Sequence, residues 1–281
     1  MSSPLVSVLI TSYNREKYIG AAIESVLASS YTNLELIITD DGSKDATVSI
    51  ARSYAAKDPR VKVYVNEKNL GDYFNRNKAA SYATGKYLKY VDADDYIYPW
   101  GLQLLVQMME QFPEAGYGLC SMLPADSKWY PIKLSPAEAY RYNYFDSSIF
   151  HKAPLSAIIK RDVFESLGGF SGKRYYGDYE MWHLLSLKHD VVLMPDGIVW
   201  HRLHEEQEST DIRNSASVQF SYDTAIVSFF KKEKDIPLTE EEKATIIARY
   251  EKKMMSLITV KALKLNWKVA LDLWRMKRKL Q

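Results

Sequence analysis

The chain has a single cysteine, Cys120, in 281 residues. A disulfide framework needs pairs, and a thiolate-rich metal centre needs several sulfur ligands, so both classes are excluded. Cys120 follows an apolar stretch and reads as a buried, inert thiol. Long apolar runs are missing as well, so no membrane-spanning helix is expected. The first ten residues lack a charged leader and a long apolar core. They read as the approach to a first strand and not as a signal peptide, and a cytoplasmic location is the expectation. The glycines do not fall in the dinucleotide-binding arrangement, and no phosphate-cradling lysine loop occurs. That argues against an NAD enzyme or a nucleoside triphosphatase. Internal repeats and low-complexity tracts are absent too.

Net charge is only +2, but it is unevenly spread. In residues 252–281 nine lysines and arginines face one acid, Asp272, so that stretch carries +8 and the rest −6. A neutral-to-acidic body argues against a nucleic-acid footprint over the main domain, and a basic tail fits contact with an anionic surface.

The first 112 residues alternate regularly. Residues 5–11, 34–39, 61–66 and 85–91 read as strands; 18–28, 45–56, 76–83 and 101–112 read as helices. Ile19, Ala22, Ile23, Val26 and Leu27 share one face of the first helix, and Asp45 is the expected N-cap of the second. This alternation implies parallel βαβ units, with ligands beyond the carboxyl ends of the strands. Past Pro113 the regularity is lost. Residues 129–150, rich in Tyr, Ser and Pro, read as a loop wall facing substrate or a cover over the sheet. Short strands are expected at 117–122, 157–160 and 191–194, and helices at 161–167 and 179–188. Helical structure is expected from Ser215 onward, with a fresh start at Thr239-Glu-Glu-Glu242.

The chemistry concentrates at two strand ends. Asp92, Asp94 and Asp95 crowd beyond the fourth strand, and Asp40-Asp41-Gly42 closes the second. Crowded carboxylates repel one another unless a cation or hydrogen-bond donors meet them. Two carboxylates one residue apart on a turning loop can both approach a hard divalent ion. All-oxygen ligation suits Mg2+ or Mn2+, shared with phosphate oxygens and water. A solvated acidic turn is the structural alternative. Asp41 could accept hydrogen bonds from a base or ribose, or serve as a turn residue before Gly42. Tyr13 suits stacking on a base, and Asn14 suits a cap or turn.

The run from Val6 to Arg15 (VSVLITSYNR), then Ile38 to Asp45 (ITDDGSKD), Asn69-Leu70-Gly71 and Tyr90-Val91-Asp92-Ala93-Asp94-Asp95 resembles the inverting family-2 glycosyltransferases. Gly168-Gly169-Phe170 and Gly177-Asp178-Tyr179-Glu180 match that family's acceptor-side elements. The resemblance covers roughly residues 5–204. It implies the GT-A fold, an α/β architecture with a Rossmann-like, mostly parallel sheet flanked by helices. A transferase domain would occupy 1–210, with a nucleotide-sugar part to about 112 and an acceptor part beyond it. Residues 211–281 would form a basic helical extension.

The resemblance also implies a nucleotide-diphosphate sugar donor, most commonly a uridine one, and a carbohydrate or lipid-linked acceptor in surface glycan synthesis. Thr11, Tyr13 and Asp41 match positions around the base, Asp92 one near the ribose, and Asp94 the metal ligand of the family's DXD motif. Arg76 or Lys78 matches a position near the donor. His204 is a candidate further metal ligand for Mn2+ or Mg2+, and Arg202 a phosphate contact. Asp178 matches the catalytic base, and Gly168 and Gly169 the acceptor side; Trp182, on the helix after Asp178, either lines the acceptor site or packs in the core, with the core favoured. The family often places a Glu before this Asp; here Gly177 stands instead, and Glu180 is a candidate to compensate. The Gln-x-x-Arg-Trp motif of processive synthases does not occur, which implies transfer of one sugar or a short, defined number. A binding module that has lost catalysis and a nucleotidyltransferase are the competing classes.

In the tail, Leu263, Trp267, Leu271 and Trp274 share a helical face while Lys264, Lys268 and Arg275 lie away from it. That pattern suits an anionic membrane interface, packing on the body, or assembly with another copy.

Overall fold

The computed structural model describes residues 3–122, 131–202 and 215–278. The chain divides into two compact units, Met1–Arg202 and Leu203–Gln281. In the first unit, strands β1 (Val6–Ser12), β2 (Leu34–Asp40), β3 (Val61–Val65) and β4 (Tyr87–Asp92) alternate with helices α1 (Ile19–Leu27), α2 (Thr47–Ala55) and α3 (Asp72–Ala80). Then come β5 (Tyr96–Ile97), α4 (Gly101–Glu110), β6 (Tyr117–Met122), β7 (Ile132–Leu134), α5 (Pro136–Arg141), β8 (Ala157–Lys160), α6 (Arg161–Ser166), α7 (Gly177–Ser186), β9 (Val191–Pro195) and β10 (Val199–Trp200).

Among the described residues, eight strands form one sheet in the order β3-β2-β1-β4-β8-β6-β9-β7. The first four run parallel, and β8 is antiparallel to both β4 and β6. β1 and β2 are rich in branched apolar residues and buried along almost their whole length, as central parallel strands covered on both faces must be. Helix α1 lays Ile19, Ala22, Ile23 and Val26 against them. Each large side chain in that stripe contributes about 1.5–3 kcal/mol by leaving water.

β1 pairs with β2 on one side and β4 on the other. The order of strands therefore reverses across β1, and crevices for ligands open beyond the carboxyl ends at such points. Register aligns the ends: Ser12 lies opposite Asp40, and Thr11 opposite both Thr39 and Asp92. Both acidic clusters thus share one edge of the sheet.

Several elements differ from the expected bounds. α3 begins at Asp72, four residues before Arg76, because the carboxylate of Asp41 takes the N–H groups of Leu70 and Gly71 and turns the chain into the helix. α7 begins at Gly177, so Asp178 lies in its first turn instead of before it. Asp45 sits one residue outside the N-cap of α2, Ala46, yet its side chain accepts the Thr47 N–H at 3.0 Å. The described part of the Tyr-rich stretch is a cover with structure of its own, β7 and α5, the latter opened by a reciprocal Ser135–Glu138 capping box. Tyr140, Tyr144 and Phe150 are buried there around His183, whose imidazole burial pushes down to about 3 and so keeps neutral. Cys120 is buried, and burial pushes its thiol up to about 11.

The second unit contains α8 (Ala216–Lys232), α9 (Glu240–Leu263) and α10 (Trp267–Arg278) around Phe220, Val227, Met254 and Leu273. α9 starts where expected, at a Thr239–Glu242 capping box. Leu265 adopts φ 57°, which separates α9 from α10, so residues 261–279 do not form one continuous helix. No helix among the described residues is long and apolar enough to cross a membrane.

Candidate active site

The loops after β1 and β2 are clamped together by side chains. Asp40 accepts from the N–H groups of Gly42 and Ser43 and from the hydroxyls of Ser12 and Ser43. Asn14 takes a positive φ of 53°, its amide oxygen accepting from Lys44 N–H and its own N–H donating to Ser43 Oγ. Asparagine tolerates that conformation better than most residues, and these two bonds hold it there. The turn leaves Tyr13 exposed at the sheet edge, open to stacking. Thr11 is partly buried one register step below it. Asp41 is buried; Oδ1 accepts from Asn66 and Leu70, and Oδ2 from Gly71. Its carboxylate organises the loop leading to α3, and any base contact would use the remaining acceptor capacity of Oδ2.

Beyond β4 the three aspartates part company. Asp92 Oδ1 lies 2.7 Å from Arg76 Nη2. Asp94 Oδ2 receives Arg15 Nε at 3.1 Å, and Arg15 also reaches the carbonyls of Tyr13 and Asn14. Asp95 is buried and accepts from His201 Nδ1 at 3.0 Å and Arg202 N–H at 2.8 Å. Burial pushes the Asp95 carboxyl up, and the hydrogen bond to Asp95 pushes His201 up. Asp95 is thus an anchor for the chain after β10, while Asp94 stays with the loop that carries Tyr13. Arg202 stacks over Tyr18 and Tyr96.

Helix α3 connects these parts, each through a different side chain. Asn75 donates to the Thr39 carbonyl at the end of β2 and accepts from Asn66. Arg76 is buried between Asp72, 3.0 Å from its Nε, and Asp92. Burial works against its charge, but the two carboxylates overcome that and push its pKa up. Its Nη1 has no hydrogen-bond partner among the described residues. Asn77 pairs with both the N–H and the carbonyl of Phe170, each at 2.8 Å. Tyr73 accepts the Asp178 N–H at 3.2 Å and is itself pushed up by burial and by the Asp178 charge.

Asp178 is reached by solvent yet densely surrounded by protein. Burial pushes its carboxyl up to about 6, against the Tyr179 N–H, the Tyr73 hydroxyl and the Arg76 charge, which pull it down. Tyr73 and Arg76, three residues apart on one face of α3, therefore bring the end of β4 and the first turn of α7 into one neighbourhood. A carboxyl poised near 6 is suited to taking a proton at neutral pH.

The other expected residues have structural placements. Gly168 and Gly169 both have positive φ, and a Cβ on Gly169 would stand 2.5 Å from Asn77 Oδ1; the pair seats the Asn77 clamp. For Trp182 the structure decides for the core and against the acceptor side. The side chain is fully buried, stacked on Tyr117, with its indole N–H on the Lys152 carbonyl, so it packs the core and does not line an acceptor wall. Glu180 accepts from the Ser171 hydroxyl and the Lys173 ammonium. A Cβ at Gly177 would meet the Tyr73 ring at 2.8 Å, a steric reason for glycine there. His204 lies outside the described residues. The roles of Tyr73, Asn75, Asn77 and Arg15 do not follow from the sequence pattern. Arg15 ends the Val6–Arg15 run, whereas the α3 residues carry no pattern beyond being polar.

Among the described residues, no group of three or more His, Cys, Asp or Glu is arranged to hold a metal. Asp94 by itself would offer a metal one carboxylate. Such a site fits a Mg2+ or Mn2+ that arrives with phosphate oxygens and keeps several waters; it does not fit one caged by protein.

Comparison with known proteins agrees with this geometry. Residues 7–168 match the family description "Glycosyl transferase family 2". An uncharacterized glycosyltransferase of Haemophilus influenzae is 29% identical over 222 residues, 74% of this chain and 68% of that protein. One from Rickettsia prowazekii is 28% identical over 250 residues, 85% of this chain and 74% of that protein. Staphylococcus aureus TarS 1-349, crystallised with UDP-GlcNAc, superposes with a TM-score of 0.65 at 20% identity, over 89% of this chain and 72% of that one. The mannosyltransferase PcManGT from Pyrobaculum calidifontis, in complex with GDP-Man and Mn2+, gives 0.63 at 17% identity, over 100% of this chain and 86% of that one. At such identities the two structures speak for the fold, that of GT-A glycosyltransferases. Because the family match spans more than half of the sequence and both acidic strand ends, the chain belongs to glycosyl transferase family 2, a family of transferase enzymes.

Proposed function

We propose that the chain moves a sugar from a nucleotide-diphosphate donor to a hydroxyl of a carbohydrate or lipid-linked acceptor, with inversion at the anomeric carbon. The observation that carries this reading is the α3 face on which Tyr73 meets Asp178 and Arg76 meets Asp92. In this reading Asp178 takes the acceptor proton as the acceptor oxygen bonds to the anomeric carbon. The bond from that carbon to the diphosphate oxygen breaks, and the nucleoside diphosphate leaves. A single displacement of this kind needs one base on one side and charge stabilisation on the other.

Thr11, Tyr13 and Asp41 take the base side of the donor, with Asp92 and Arg76 nearer the ribose and phosphates. Asp94 would supply a carboxylate to a Mn2+ or Mg2+; such an ion neutralises charge on the departing diphosphate. Arg15, now on Asp94, would turn toward the phosphates or stay as a counter-charge. Gly168 and Gly169 support the acceptor side indirectly, by seating α3. A uridine donor is the first to test and a guanosine donor the second, in line with the ligands of TarS and PcManGT.

The test is release of nucleoside diphosphate across a panel of nucleotide sugars, with Mn2+, with Mg2+ and with chelator. Turnover of one donor class that chelator abolishes supports the reading. Undiminished turnover in chelator removes the metal, and product of retained anomeric configuration removes the single displacement.

A further inference from the structure

Helix α10 has two apolar faces. One is buried: Leu273, with Val269 and Met276 beside it, packs toward Phe220, Val227 and Met254, and Ala270 is buried on the same side. The other is open. Trp267, Leu271 and Trp274 are 63%, 46% and 42% exposed, and Leu263 and Leu265, just before the helix, are 77% and 76% exposed. At 100° per residue, Trp267, Leu271 and Trp274 fall within about 60° of one another, on the side away from the buried stripe. Single exposed apolar residues are ordinary, but a contiguous run with two tryptophans marks a contact surface.

The charges around the run identify the contact. Lys268 and Arg275 fall along its edge, Lys264 precedes it, and the Arg278 guanidinium lies 4.9 Å from the Trp274 ring centroid. Asp272, the one carboxylate in the helix, faces Arg275. A second copy of the chain or a packed neighbour would need only the apolar shape; the excess of positive charge around it calls for an anionic plane. At 12 residues the helix is too short to span a bilayer and suits lying flat in its boundary. We propose that this face of α10 docks on the surface of an anionic lipid bilayer, with Trp267 and Trp274 at headgroup depth and the cations on lipid phosphates. The proposal stands apart from the sugar chemistry.

The test is flotation of the full chain with phosphatidylcholine vesicles, with and without phosphatidylglycerol. Binding is expected only to the anionic vesicles, with release as salt screens the charges. Trp267→Ser with Trp274→Ser should weaken partitioning by about tenfold or more, as apolar contact is lost. Lys264→Gln with Lys268→Gln should weaken it about fivefold per charge removed. Circular dichroism and melting temperature should not change, since all four side chains lie outside the core of their unit. No binding at low salt, equal binding to neutral vesicles, or full binding by the tryptophan variant overturns the proposal. So does a dimer, seen by sedimentation, that the tryptophan variant dissolves while wild type ignores vesicles.

Discussion

The carboxyl edge of the sheet and the C-terminal helices break the same rule in opposite directions. At the sheet edge, charged groups that ordinarily seek water are buried: Arg76, Asp41 and Asp95. In α10, tryptophans and leucines that ordinarily avoid water face it. Folding alone rewards neither arrangement, since a buried charge loses hydration and an exposed apolar face gains nothing. The first is tolerated because each charge meets an opposite charge or a hydrogen-bond donor, as Arg76 meets Asp72 and Asp92. The second finds no compensation among the described residues, and the proposed lipid contact would supply it. On the two proposals above, inverted burial marks one place by chemistry and the other by contact.

The strongest way to break the comparison is Asp178→Asn. Turnover should fall by about 10²–10⁴-fold, the usual worth of a positioned base, measured as diphosphate release. Stability should move the other way. Burial raises the folded-state pKa of Asp178 from 3.8 to about 6, so the stability of the protonated form is complete below 3.8 and is lost as pH rises through 6. Asparagine never ionises. Above pH 6 the variant should be more stable by up to about 3 kcal/mol, reduced by the solvent that reaches the site, and the gain should vanish below pH 4. Urea denaturation at the two pH values decides it; equal stability at both would place Asp178 in a watery setting.

Arg76→Met removes the cation between two carboxylates. A loss of about 3–5 kcal/mol is expected, because the carboxylate of the largely enclosed Asp92 is left uncompensated. A loss under 1 kcal/mol in denaturation would mean that water already screens the pair.

The C-terminal unit offers a finer contrast within two residues. Leu273→Ala should cost about 2–5 kcal/mol, as a deleted core side chain does. Leu271→Ala should stay within about 0.5 kcal/mol, as a surface change does. Equal costs would show that the outer face of α10 is packed and would count against lipid docking. The smallest effect concerns pH. The acid limb of kcat/KM should lie near 6, and in Tyr73→Phe it should move to higher pH, because the phenol that helps stabilise the Asp178 anion is gone. An unmoved limb with lowered kcat would assign Tyr73 to packing alone.

How much of this was legible beforehand depends on the residue. The strands could be read because branched apolar runs alternate with helical patterns of βαβ length, and the acidic turns because crowded carboxylates repel one another unless a cation, donors or water meet them. The bounds of α3 could not. Its start is fixed by Asp41, some thirty positions away, which holds the Leu70 and Gly71 N–H groups. Trp182 could not be assigned either, since an indole suits a binding wall or a core and only its neighbours decide.

The sequence by itself determined the alternation of strands and helices, the two acidic strand ends and the cationic, tryptophan-bearing tail, because each is a local pattern set by side-chain type and spacing; Asp178 stands as a candidate base only through the resemblance to a family. Only the tertiary structure decided that a polar helix joins Asp92 to Asp178, that the Tyr73 ring stands where a Cβ on Gly177 would fall, and that α10 buries Leu273 while exposing Leu271. These follow from contacts between residues far apart in the chain, and no periodicity within a segment records which distant partner it will meet.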